Sequence, residues 1–230
     1  MKRALLDQLL DNRAAKLPVA LVTELPSGTQ TLVLESETVG EIHLDDTALT
    51  EIRQMLRQDE SGIADSEGRR LFVHCHNPPP RLFLVGAVHI AQALAPMASL
   101  AGYSVTVIDP RRAFASDVRF PDVDMRGDWP DEAMAALEPD RRSAVVTLTH
   151  DPKLDDPALQ AALRSPAFYI GALGSKKTHG ARLARLAKAG IAPQDLTRIH
   201  GPVGLDIGAL SPAEIAVSIL AQITSVRRQA

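Results

Sequence analysis

Glycine- and histidine-bearing stretches after residue 80 hold the residue types that could do chemistry. The first is "LVGAVHIAQ", in which Gly86 follows an apolar run and His89 opens a helical pattern. In a dinucleotide-binding unit the first glycine makes the tight turn, the second lets backbone approach a pyrophosphate, and the third allows close helix packing. Gly86 supplies the turn and Ala91 is a small packing residue, but Val88 stands where the second glycine belongs. Its β-branched side chain is stiff and projects towards the place of the phosphate oxygens. Downstream, "VTVIDPRR" puts Asp109 23 residues after Gly86, close to the ~20-residue distance at which an acid meets a ribose hydroxyl. Arg111 and Arg112 follow at once and suit bidentate binding of a phosphate or carboxylate. A plainer reading stands beside this one: Gly86 only turns the chain, Asp109 caps a loop, and His89 is a solvated helix-terminal histidine.

Three further loops carry polar residues after apolar runs. "VVTLTHDP" ends in Thr149, His150 and Asp151, and "YIGALGSKKTHG" runs through Gly171 and Gly174 into Ser175, Lys176, Lys177, Thr178 and His179. Ser175 can cap the helix that follows, and the free backbone N–H groups there favour an anion. Two lysines oppose the helix macrodipole at that end, which makes an anionic ligand a reason for them; a solvated first turn is the alternative. The spacing is not GxxxxGK[ST], so ATP hydrolysis is not implied. "RIHGPVGLDIGAL" gathers Gly201, Gly204 and Gly208 around His200 and Asp206, a density that suggests positive φ or close approach. It reads as a binding-site loop, with a generic tight loop before the last helix as the alternative.

"LFVHCHNPPP" invites a metal reading, but side chains alternate along a strand. Phe72, His74 and His76 share one face, and Cys75 points to the other with Leu71 and Val73. Cys75 reads as a structural cysteine, no HExxH spacing occurs elsewhere, and no metal site is expected.

Elements that could position these loops follow from periodicity. After "HNPPPR", whose prolines cannot continue a helix or a central strand, the runs RLFLV, SVTVI, SAVVTLT and AFYIGA alternate with helical patterns. That is the rhythm of a parallel α/β sheet flanked by helices, a Rossmann-like unit over residues 81–230. Its first helix would bury Ile90, Leu94, Met97, Ala98 and Ala101; its last opens with "SPAE", a capping box of Ser211 and Glu214 with Pro212 at the first position. Residues 1–76 read as a small α+β module of helix, strands, helix and strand, and 77–80 as a stiff linker.

Composition narrows the classes. The 230 residues carry a net charge of −3, with 45% hydrophobic, 23% charged and 3% aromatic content, ordinary for a soluble globular protein and giving no reason to expect nucleic acid. No apolar run nears the roughly 20 residues of a membrane span, and the N-terminal stretch lacks the pattern of a secretory signal. One cysteine forms no internal disulfide, and a cytoplasmic location is expected.

The stretches "GAVHIAQALAPMASLAGYSVTVIDPRRAFASDVRFPD", "YIGALGSKKTHGARLARL" and "RIHGPVGLDIGALSPAEIAVSILAQI" resemble the XdhC/CoxI family, accessory proteins of xanthine dehydrogenase and carbon monoxide dehydrogenase. The resemblance covers about residues 78–228, and more weakly "LVTELPSGTQTLVLESETVGEIHLDD". It implies a chaperone that binds molybdenum cofactor, a phosphate-bearing pterin sometimes extended by a nucleotide. Such a chaperone assists the cofactor's sulfuration and delivers it to a molybdenum hydroxylase apoenzyme. It further implies a sulfur donor such as a cysteine desulfurase as partner, and a homodimer. On that reading the anionic end suits the Gly174–Lys177 turn, Arg111 or Arg112, and Asp109 takes a hydroxyl or amino group. Gly86, Val88, His89, His150, Ser175, Thr178, His200, Gly204 and Asp206 complete the cofactor-binding set. The chain departs from the family at Val88, often glycine there, and lacks its Ser-x-x-Pro-Arg-type and Ser-Gly-Gly-Cys segments. Two other readings stay open: an NAD(P)-dependent oxidoreductase, for which no proton donor stands out, and a non-catalytic scaffold with a vestigial pocket.

Overall fold

Three consecutive prolines, Pro78 to Pro80, stop the strand before them and separate two kinds of sheet. A computed structural model describes residues 2–111 and 119–229 and divides the chain into two units, Met1–Pro78 and Pro79–Ala230. Arg112, paired with Arg111 in the sequence reading, lies outside the described residues.

In unit one, α1 (Arg3–Ala14) precedes β1 (Val19–Glu24), β2 (Gln30–Val33) and β3 (Thr38–Gly40); α2 (Asp46–Gln58) then leads to β4 (Gly62–Ser66) and β5 (Arg69–His76). The strands form an antiparallel sheet in the order β3-β2-β1-β5-β4. Alternation puts Val22, Leu71 and Val73 on the face that receives Ala48, Ile52 and Leu56 of α2. The Asp45 side chain accepts from Ala48 N at 2.9 Å and starts that helix. Cys75 packs against this cluster, and burial pushes its thiol up to about 11.

Unit two begins with β6 (Arg81–Val85), α3 (His89–Leu100), β7 (Ser104–Ile108), β8 (Asp124–Arg126) and α4 (Pro130–Leu137). It continues through β9 (Ser143–Thr147), α5 (Pro152–Arg164), β10 (Tyr169–Ala172), α6 (Lys176–Lys188), α7 (Pro193–Leu196), β11 (Ile199–His200) and α8 (Pro212–Gln229). All six strands run parallel, in the order β8-β7-β6-β9-β10-β11. Counted from β6 this is the 3-2-1-4-5-6 order of a dinucleotide-binding fold, in which strand order reverses between the first and fourth strands.

The apolar runs have no polar face because both faces are covered. Leu82, Leu84, Val107 and Val146 meet α3 and α8 on one side, whereas Phe83, Val85, Val145 and Ile170 meet α4, α5 and α6 on the other. In α3 the buried residues are Ala91, Leu94, Ala95 and Ala98; Ile90 and Met97 are half-buried, and Ala101 is exposed at the helix end rather than in the core. The "SPAE" capping box forms as expected: Glu214 N donates to Ser211 Oγ at 3.3 Å, and Ser211 N donates to Glu214 Oε2 at 2.8 Å. Among the described residues no helix is long and apolar enough to cross a membrane.

Candidate functional site at the C-terminal edge of the parallel sheet

Ile108, Val85, Thr147 and Ala172 lie on adjoining rungs of the sheet, so the loops that follow them leave from one edge. This is the edge, at the point where strand order reverses, where open α/β sheets bind ligands. It brings together Gly86, Val88, His89, Asp109, Arg111 and His150, with the Gly174–Thr178 turn beside them. His200 ends the outermost strand, β11, next to β10.

The turn after β6 depends on Gly86. Its φ of +111° disfavours any side chain, and a Cβ would stand 2.5 Å from Thr149 Cγ2 in the neighbouring loop. Gly86 therefore lets the first and fourth strands' loops touch. Val88 is the N-cap of α3 with extended backbone, and its half-buried side chain packs against the α3–α8 core cluster. His89 is exposed.

Asp109 has 0% of its surface exposed. Its Oδ2 accepts from Ala87 N at 2.8 Å and from Arg111 Nη2 at 2.7 Å; its Oδ1 accepts from Arg111 N at 3.0 Å and Arg111 Nε at 2.9 Å. Burial opposes ionisation, but these bonds outweigh it and hold the carboxyl below its ordinary range. The carboxylate expected to receive a ligand hydroxyl is thus occupied by the protein's own donors.

A second buried acid lies under the β9–α5 loop. Asp155 Oδ1 accepts from Thr149 Oγ1 at 2.7 Å, and its Oδ2 faces Arg182 Nη2 at 3.7 Å. Arg182 is 1% exposed and its Nη2 donates to Leu173 O at 2.7 Å, which ties α6 to the loop after β10. Arg182 Nε and Nη1 and Asp155 Oδ2 have no hydrogen-bond partner. Burial raises the Asp155 pKa despite the Thr149 bond and the Arg182 charge, and burial lowers that of Arg182. The sequence reading did not single out either residue. Each sits on a helix's buried stripe, Asp155 with Ala158, Leu159 and Ala162, and Arg182 with Leu186. An acid and a base at apolar stripe positions are the signal that could have found them.

Ser175 caps α6 by accepting from Thr178 N at 3.2 Å. Lys176 and Lys177 are exposed in that first turn, which contains no acid. Gly174 has φ +139°, and His150, itself left-handed at φ 62°, brings Nδ1 within 3.7 Å of the place of a Gly174 Cβ. The two loops therefore meet at His150 and Gly174.

The glycines after β11 show the close approach and positive φ expected of them. A Cβ on Gly204 would collide with Ser218 Oγ of α8, and one on Gly201 with the His179 ring. Gly204 N donates to Gln222 Oε1 at 2.8 Å, an acceptor shared with Tyr169 Oη. Gly204 thus draws this loop close to α8 and Gly201 draws it to His179 of α6, whereas Gly208 has open space and a φ of +73°. His200 stacks on Tyr169 with centroids 4.7 Å apart, burial lowers its pKa, and Asp206 is exposed. Among the described residues no group of three or more His, Cys, Asp or Glu could hold a metal ion.

Comparison with known proteins agrees with this architecture. Residues 82–223 match the XdhC Rossmann domain. The chain is 35% identical over 150 residues to an Escherichia coli protein named Molybdenum cofactor insertion chaperone PaoD, covering 65% of this chain and 41% of that one. It is 33% identical over 160 residues to a Bacillus subtilis protein named as a probable xanthine dehydrogenase subunit, covering 69% and 46%. The chain therefore spans less than half the length of either curated relative. A crystal structure described as a xanthine dehydrogenase from Bacillus halodurans superposes with a TM-score of 0.75 at 29% identity, covering 99% of this chain and 67% of that chain. The doubly wound sheet, its edge loops and these matches together make the chain a member of the XdhC family.

Proposed function

We propose that this protein is a maturation factor that holds molybdenum cofactor at the C-terminal edge of its parallel sheet and passes it to a molybdenum hydroxylase apoenzyme in the cytoplasm. The observation that carries this reading is the likeness to a chain named as a molybdenum cofactor insertion chaperone, together with a sheet edge suited to an anion. The donor set fits a phosphate-bearing ligand. Lys176 and Lys177 stand exposed at the start of α6 with no acid in that turn, beside the free backbone N–H groups of the helix end.

In this reading Lys176, Lys177 and the backbone of the Gly174–Ser175 turn hold the phosphate, and His150 borders it. Arg111 stays with Asp109 and sets the shape of the opposite wall. When bound, the cofactor supplies the molybdenum that the client enzyme requires. In this reading the chain itself holds and orients the cofactor, and the Cys75 thiol, pushed up by burial to about 11, is a weak nucleophile at neutral pH. Sulfuration falls to a partner such as a cysteine desulfurase.

The test is anaerobic incubation of the purified protein with molybdenum cofactor, followed by gel filtration and transfer to an apo-hydroxylase. Retained cofactor and faster activation of the apoenzyme are expected, with affinity about tenfold weaker in Lys176→Ala/Lys177→Ala, or about 1.4 kcal/mol. No retention and no effect on apoenzyme activation would overturn the proposal.

A further inference from the structure

In dinucleotide-binding folds the acid after the second strand offers its carboxylate to the ribose diol. Asp109 follows β7, the second strand counted from β6, and is in that place. A carboxylate has about four acceptor sites, and four protein donors occupy them here. One is Ala87 N of the glycine turn; the other three are the backbone N, Nε and Nη2 of Arg111. Asp109 has no exposed surface left for a fifth donor.

We propose that the Arg111 guanidinium is a built-in occupant of the ribose-diol position, which makes the Asp109–Arg111 pair a specificity determinant that rejects NAD(H). A diol could reach Asp109 only by displacing a bidentate, charge-assisted pair with two neutral hydroxyls. Charge-assisted bonds are roughly twice as strong as neutral ones, so the exchange runs uphill. Arg111 is only two residues from Asp109, so the fork is held locally and loses little chain entropy in forming. Val88 is the lesser barrier, because its side chain is engaged with the α3–α8 core cluster.

This inference is independent of the molybdenum cofactor proposal, since its probe is NADH and its variants leave Lys176 and Lys177 intact. NADH is titrated by fluorescence into the full chain and into Arg111→Ala and Val88→Gly, with thermal melts to show that each is folded. The wild-type chain and Val88→Gly are expected to bind no NADH at millimolar concentration. Arg111→Ala is expected to bind NADH measurably, with a Kd at least about tenfold below the millimolar limit set for the wild-type chain. Should Arg111→Ala not fold, Arg111→Gln keeps the stem and removes the fork, and the same gain is expected. Micromolar NADH binding by the wild-type chain would overturn the proposal. So would a gain in Val88→Gly alone, or no gain in any folded Arg111 variant.

Discussion

Two Asp–Arg pairs lie at the same sheet edge, and they differ in almost every physical respect. Asp109 and Arg111 are two residues apart, meet at 2.7 Å, and leave no acceptor of the acid unused. Asp155 and Arg182 come from different helices, stand 3.7 Å apart, and leave Asp155 Oδ2, Arg182 Nε and Arg182 Nη1 without a hydrogen bond. In the first pair hydrogen bonds outweigh burial and the acid's pKa falls; in the second burial outweighs its partners and the acid's pKa rises. Identical side-chain chemistry thus yields a satisfied clamp on one side of the edge and an under-satisfied pair on the other. The difference is geometric: a local fork preorganises itself, whereas a pair between helices takes whatever distance their packing allows.

The largest expected effect lies in the second pair. Arg182→Met leaves Asp155 buried without its counter-charge and should cost about 3–5 kcal/mol in urea unfolding. Asp155→Asn/Arg182→Met should recover most of that loss, because removing both charges removes the uncompensated one. A loss below about 1 kcal/mol for Arg182→Met would mean that the pair does not behave as buried ions.

A pH series separates the two acids by sign. The folded pKa of Asp109 lies below its ordinary 3.8, so its stabilisation is present above that value and is lost as pH falls through the depressed folded pKa. The folded pKa of Asp155 lies above 3.8, so its contribution is full below that value and is lost as pH rises through the raised folded pKa. The stability difference between the wild-type chain and Asp109→Asn should therefore grow with pH on the acid side of 3.8. The difference from Asp155→Asn should shrink with pH on the other side. Urea midpoints that move in the same direction for both variants would break the contrast.

The smallest effect concerns the anion-facing turn beside the second pair. Ser175→Ala removes the acceptor for Thr178 N and should cost about 1 kcal/mol of stability, read by thermal unfolding. It sharpens the comparison by separating the helix cap from the buried arginine further along α6.

Much of unit two was legible because its signals are local and repeated. The four apolar runs became β6, β7, β9 and β10, and "SPAE" formed its capping box bond for bond. The short edge strands β8 and β11 were not legible, since Asp124–Arg126 and Ile199–His200 are too brief to show a period. The hairpin strand β4 was missed for a similar reason: Gly62–Ser66 combines a glycine with two polar residues. Ala101 was misplaced because the helical stripe was extended one step past the turn that ends α3.

The site divides along the same line. From the sequence by itself follow the glycine turn at Gly86, the acid 23 residues later, the Ser175 cap, and the cations of the α6 first turn. These depend on neighbours a few residues away, and such preferences are carried by residue type. Only the tertiary structure decided that Asp109 is already filled, that Val88 joins the core, that Gly204 serves α8, and that Asp155 and Arg182 face each other beneath the loops. Each of these depends on which distant groups strand order and helix packing bring within hydrogen-bond or van der Waals reach. Local residue spacing does not encode those distances.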